Sequence, residues 1–142
     1  MTAATAIGLS GGAYIAGALV ISKLSDRIGR KSPLFISFLS MAVMMLWLIK
    51  ARQPWEFYLF STIIGFSWGG FVLFPAIIAD WFGMKFHGSI YGMLDVGWGI
   101  GGATAPLLAG YICDTTGSYE LAIIIGAVVL FIAMGLSLIL KP

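Results

Sequence analysis

Ser10 and Ser67 each stand at the centre of a G-x-S-x-G run, at Gly8–Gly12 and Gly65–Gly69. That spacing can present a serine hydroxyl as a nucleophile. Such a serine needs a base within hydrogen-bond reach, and the chain has one histidine, His87. Asp95 offers different chemistry, as the one acid well inside an apolar stretch. A charged group at a bilayer centre costs at least ~2.5 kcal/mol, less toward the interface, so Asp95 needs a partner or a proton. The third feature is ionic. Four of the eight Lys and Arg, namely Lys23, Arg27, Arg30 and Lys31, fall in the run Ser22–Lys31, SKLSDRIGRK. The single Cys113 excludes an intrachain disulfide and a cysteine-built metal cluster. No metal and no cofactor is expected.

The elements that hold these residues follow from composition. The 142 residues are 60% hydrophobic and 10% charged, with mean hydropathy +1.01. A soluble domain of this size cannot hide that much apolar surface. A helix needs about 20 apolar residues to cross the hydrocarbon core. Ala3–Ile21, Pro33–Ile49, Phe57–Ala79, Ser89–Cys113 and Leu121–Leu140 fit that need. Their apolar runs are continuous rather than alternating, and open sheet edges cannot face lipid. The expected fold is therefore an all-α membrane protein of five transmembrane helices, with sequence neighbours antiparallel. No basic segment precedes the first apolar run, so Met1–Val20 does not read as a cleavable signal peptide.

Charge sets the expected orientation. Lys23, Arg27, Arg30, Lys31, Lys85 and Lys141 fall on one side, against Lys50 and Arg52 on the other. The positive-inside rule puts the SKLSDRIGRK turn and the C-terminus in the cytoplasm and the N-terminus outside. Trp47, Trp55, Tyr58, Trp81 and Tyr119 sit near span ends as an aromatic belt. The net charge of +2 is concentrated at one turn, which gives no footprint for nucleic acid. The expected partner is the lipid bilayer. In this topology Ser10 lies about 18 Å along its helix from the cytoplasmic end. His87 lies in a cytoplasmic connector and reads as a solvated loop residue, so an enzyme is not expected.

Within the basic turn, Gly29 supplies backbone freedom and Pro33 suits the first turn of the next helix. Asp26 and Arg30 are four apart and can pair if the turn is helical. Asp26 can also cap the following helix, and Lys23, Arg27 and Lys31 can meet anionic headgroups.

Leu24, Ser25, Asp26, Arg27, Gly29, Arg30 and Lys31 together resemble the signature loop of the major facilitator superfamily, with Ser22 where that pattern has Gly. The resemblance implies two six-helix halves, with solute held between them at mid-membrane. It also implies that this loop braces the cytoplasmic side and is remade during alternating access. In that family the loop joins helices 2 and 3, and a weaker copy joins helices 8 and 9. Ser22 suits the weaker copy. The stretch Ala79–Tyr119 is similar to helices 10–12 of monocarboxylate-type and related anion carriers, and the chain stops at Pro142 soon after its last span. Residues 1–142 are thus expected to be a partial C-terminal transmembrane domain, helices 8–12, of a symporter or antiporter in the cell membrane. The implied cargo is a small solute, a carboxylate or other organic anion, with a coupled proton. The implied partner is the set of missing N-terminal helices, without which transport is not expected. Two other readings stand beside this one. The first is a small five-span structural or assembly membrane protein. The second follows Gly8–Gly12, which is similar to the serine motif of rhomboid intramembrane proteases.

Inside the spans, Gly65 and Gly69, Gly88 and Gly92, and Gly97 and Gly101 are each four apart, a spacing that lets helix backbones approach closely. Gly97, Gly101 and Ala105 share a face that leads to Pro106 and Gly110. Pro106 is expected to kink its helix, and Pro75 invites the same reading. Asp95 sits about 9 Å from the cytoplasmic end of its span. The resemblance gives it a bracing role against the opposite half, and proton coupling is the alternative. No Lys, Arg or His lies deep in a span, so a carboxylate would take its counter-charge from the missing half. Tyr14, Ser10, Ser67, Trp68, Trp98 and Thr104 are the candidate pocket residues, each also readable as a packing or lipid-facing residue.

Overall fold

A computed structural model describes residues 2–139. Its elements are α1 (Thr2–Ile28), α2 (Lys31–Leu48), α3 (Pro54–Trp68), a 3-10 turn (Gly69–Val72), α4 (Leu73–Phe82), α5 (His87–Thr116) and α6 (Glu120–Ile139). The 3-10 turn joins α3 and α4 into one span, so five helices are long and apolar enough to cross a membrane. Among the described residues there is no strand. The expected ends at Leu140, Lys141 and Pro142 lie outside the described residues.

The helices overrun the apolar limits read from the sequence. α1 continues past Ile21 to Ile28, because hydrogen bonding along a helix does not stop where hydrocarbon gives way to headgroups. Gly29 stops it, at φ 85°, a conformation that costs a side-chain-bearing residue far more than glycine. SKLSDRIGRK is therefore a helix end, a two-residue link of Gly29 and Arg30, and a helix start. Pro33 falls in the first turn of α2, as expected. α3 opens on a capping box: Glu56 Oε2 accepts from the Gln53 amide at 2.7 Å, and Pro54 fills the first turn.

Pro75 lies in the first turn of α4, just after the 3-10 turn. It has no N–H to give back along the helix, so the third span breaks its α-helical ladder there. Pro106 sits inside α5, which runs through it without a break.

Close approach organises the first three helices. α1 packs along α3, and α2 packs on α3 and α6. A Cβ on Gly17 would lie 2.9 Å from Phe66 Cα, and one on Gly65 would lie 2.7 Å from Ser10 Cα. Gly69 meets the backbone of Gly17 in the same way. The Gly65/Gly69 spacing thus does what its sequence suggests. Ile21, Leu34, Leu73 and Ile77 form a buried cluster beside Phe38 and Phe74. Ser40 and Ser67 bond across α2 and α3, Oγ to Oγ at 2.6 Å, and Ser67 also donates to the Ile63 carbonyl at 2.8 Å. Ser67 is buried, so Ser67→Ala removes that cross-helix bond and leaves Ser40 with the Ser37 carbonyl at 2.9 Å. The expected loss is about 0.5–1.5 kcal/mol, read as a lowered thermal unfolding midpoint in detergent; an unchanged midpoint counts against the seam.

α5 is different. It has no buried residue and touches mainly α4 and α6. A Cβ at Gly88, Gly92, Gly97, Gly101 or Gly110 would meet nothing within 4 Å. The small-residue face at Gly97 and Gly101 is open in this chain.

Candidate functional site

Polar or aromatic side chains from separate helices line a cavity at one place and a cleft at another. The first is the link between α1 and α2. Arg30 follows Gly29 and forms an ion pair with Asp80 near the end of α4, and its Nη2 reaches the second carboxylate oxygen at 3.4 Å. Lys31 donates to the Leu138 carbonyl near the end of α6, a fit to the unpaired carbonyls of a helix C-terminus. One short link thus ties the ends of two other spans. Asp26, Arg30, Lys31, Asp80 and Trp81 line a cavity of about 570 Å³ there. Ser25 also lines it, 2% exposed, and its Oγ has no hydrogen-bond partner.

This geometry corrects two expectations. Arg30 pairs with Asp80 rather than Asp26, because Gly29 breaks the helix and removes the four-residue register. Asp26 does not cap α2 either: Arg30 holds the N-cap position, without a side-chain cap bond. These ties also bring Lys23, Arg27, Arg30, Lys31 and Lys85 to one end of the bundle, away from Lys50 and Arg52.

The second place is a cleft of about 270 Å³ lined by Phe71, Phe74, Tyr91, Leu94, Asp95 and Trp98. Phe71 and Phe74 stack at 5.6 Å between ring centroids, and Trp98 lies 6.2 Å from Phe71. His87 is half-buried at the start of α5, where its Nε2 bonds the Pro75 carbonyl at 3.0 Å and its ring stacks on Tyr91. It is therefore a clasp between α4 and α5, not a solvated loop residue: the connector is short enough to fold the helix start back against α4.

The other expected pocket residues are dispersed. Ser10 donates to the Ile7 carbonyl at 2.7 Å beside Gly65, and Ser67 lies in the α2–α3 seam. Thr104 donates to the Ile100 carbonyl at 2.8 Å. Tyr14 and Trp68 are exposed. Of the six, Trp98 lines the cleft. Both G-x-S-x-G serines lie within continuous α-helix, and neither bonds His87. Asp80, Phe71, Phe74 and Tyr91 are the residues that sequence reasoning passed over. For Phe71 and Phe74 the available signal is their three-residue spacing on one face.

Spans of this length, packed through glycines and exposing apolar side chains on their outer faces, define a multi-pass helical protein of the cell membrane. The chain belongs to the Major Facilitator Superfamily, whose sequence model matches residues 1–142. Relatives include the multidrug resistance protein MdtG of Dickeya zeae (strain Ech586), 40% identical over 112 residues, which are 78% of this chain and 27% of that protein. MdtG of Proteus mirabilis (strain HI4320) is 36% identical over 107 residues, 75% of this chain and 26% of that protein. A gentisate transporter of Corynebacterium glutamicum (strain ATCC 13032) is 35% identical over 94 residues, 66% of this chain and 21% of that protein. The chain therefore spans about a quarter of the length of the MdtG relatives it matches. The family is one of transporters rather than enzymes, which removes the protease reading of Ser10 and Ser67.

Proposed function

We propose that this chain forms helices 8–12, most of the C-terminal half, of a secondary carrier that moves a small organic solute by alternating access. The observation that carries the reading is the Gly29–Lys31 link, which ties α4 through Asp80 and α6 through Leu138. In a carrier that rocks two halves about a central site, ties within one half hold its helix ends together as the face it presents to the other half. The charge distribution supports placing that end in the cytoplasm. Asp95, on a helix with no buried residue, then faces either a bracing partner or a proton route outside this chain.

The relatives' names support two solute classes, drugs and gentisate. A carboxylate would need its counter-charge from helices outside this chain. The lining of the α4–α5 cleft bears one carboxylate and no cation, which favours the first class.

Side-specific labelling tests the reading without knowledge of the solute. Leu94→Cys and Leu108→Cys, each in a Cys113→Ser background of the full-length protein, probe opposite stretches of α5. Arg30→Ala is expected to raise labelling by an impermeant maleimide at one position and lower it at the other. Labelling that stays fixed, or moves in parallel, counts against alternating access.

A further inference from the structure

We propose that the connector between α4 and α5 is a membrane-surface anchor: Phe82, Met84 and Phe86 enter the boundary between acyl chains and headgroups of an anionic leaflet, and Lys85 takes a lipid phosphate. The inference goes beyond the carrier reading and needs no solute. The connector is residues 83–86, between the end of α4 at Phe82 and the start of α5 at His87. Phe82, Met84 and Phe86 are 56%, 77% and 56% exposed. A short turn that shows this much apolar surface is poorly suited to water. Exposed apolar clusters of this kind mark contacts with a protein or a membrane.

Two observations select the membrane. The first is charge. Between Asp80 and Asp95 the charged side chain is Lys85. Its ammonium lies over the Phe86 ring, 5.3 Å from the centroid, with no ion pair among the described residues. A lysine stem laid on an apolar neighbour with its charge left free is the arrangement of a side chain that reaches up to headgroups. The same end of the bundle carries Lys23 and Arg27, both exposed, beside the engaged Arg30 and Lys31. That end complements an anionic headgroup layer, in which each basic side chain near the surface favours contact by about fivefold. The second observation is how the connector is held. The Gly83 amide donates to the Ala79 carbonyl at 3.0 Å, the Ile90 amide donates to the Phe86 carbonyl at 3.1 Å, and His87 holds the Pro75 carbonyl. Both flanks are thus pinned, and the three apolar side chains cannot fold back onto the bundle. They sit at the tip of two helices long enough to span a membrane, the depth at which apolar side chains lie under headgroups. A protein surface fits less well, because it would have to supply an acid for Lys85 within an apolar contact.

The test places a nitrobenzoxadiazole label at Met84→Cys in full-length protein otherwise free of cysteine. The labelled protein is reconstituted in nanodiscs of phosphatidylcholine, with and without phosphatidylglycerol. Two quenchers report the label's surroundings: aqueous iodide, and a lipid nitroxide carried near the top of the acyl chain. The glutathione conjugate of the same label is the fully hydrated reference. The label at Met84→Cys is expected to be quenched by the lipid nitroxide and protected from iodide. Phosphatidylglycerol is expected to raise the ratio of lipid to iodide quenching about fivefold, and Lys85→Gln to remove that rise. Phe82→Ser with Phe86→Ser is expected to bring the label within reach of iodide. Iodide quenching equal to that of the reference overturns the proposal. So does a label shielded from both quenchers, which puts protein over the connector. Lipid quenching that ignores phosphatidylglycerol, or a response that survives Lys85→Gln, overturns the phosphate contact and with it the anchor as proposed. All the substituted side chains but Lys85 are among the exposed apolar ones, and the first comparison needs only Met84→Cys. Solute flux is not read, so the result stands whichever way the carrier reading falls.

Discussion

Gly65→Ala is expected to lower the thermal unfolding midpoint of the detergent-solubilised protein by roughly 10 °C, corresponding to about 2–4 kcal/mol. A Cβ there would lie 2.7 Å from Ser10 Cα. The obstacle is backbone, which cannot rotate away as a side-chain tip can. Either α1 and α3 separate along their length or one helix bends. Both outcomes also loosen the contact at Gly17 and Gly69, which uses the same pair of helix faces. Gly135→Ala is the comparator. A Cβ at Gly135 meets nothing within 4 Å, so the alanine is expected to be neutral or to add up to ~1 kcal/mol through helix propensity. Equal midpoints for Gly65→Ala and the unsubstituted protein would show that the α1–α3 approach is looser than drawn.

Arg30→Ala and Asp80→Asn form the second prediction, in which function and stability part company. The two side chains are 33% and 51% exposed, so the pair is screened and holds the fold by only about 0.2–1 kcal/mol. If the pair exists in one carrier state and not the other, the same energy acts on a conformational equilibrium. About 1 kcal/mol there is a fivefold shift in populations, enough to slow a cycle that must visit both states. Each single variant is expected to lose about two- to fivefold in transport rate with its unfolding midpoint nearly unchanged. The exchange Arg30→Asp with Asp80→Arg should recover part of the rate. Arg30→Lys should fall between, since a lysine keeps the charge but not the planar fork. Transport by the Asp80→Asn variant at the full rate would leave the link a purely structural tie.

Much of the fold was legible because lipid makes few demands and makes them strongly. Continuous apolar runs, Gly29 beside a basic cluster, and Gly65 four residues before Gly69 each have one ready physical meaning, and the helices follow it. The misreadings share a cause. Asp26 and Arg30 looked paired because the four-residue rule assumes an unbroken helix, and Gly29 breaks it. Asp80 stood one residue past an apolar limit and looked like a boundary residue, while its partner lies 50 positions earlier in sequence. Ser40 and Ser67 are small polar residues in apolar runs, and nothing local says that they face each other. Phe71, Phe74 and Trp98 each look lipid-facing when taken singly. Only the packing of α5 beside the Pro75 break brings them to one volume.

α5 also has a mechanical character. It is bounded by Gly83 at φ 70° and Gly117 at φ 73°, and between them runs a continuous helix that buries no residue against its neighbours. A helix held this lightly between two glycine joints can tilt without disturbing the glycine-locked block of α1 and α3, with Pro106 inside it as a further point of give. The clasp of His87 on Pro75 lies close to one joint, so it constrains where the helix pivots more than how far its distant end travels. A small displacement at the clasp therefore becomes a larger one at Pro106, a lever arm of about 28 Å.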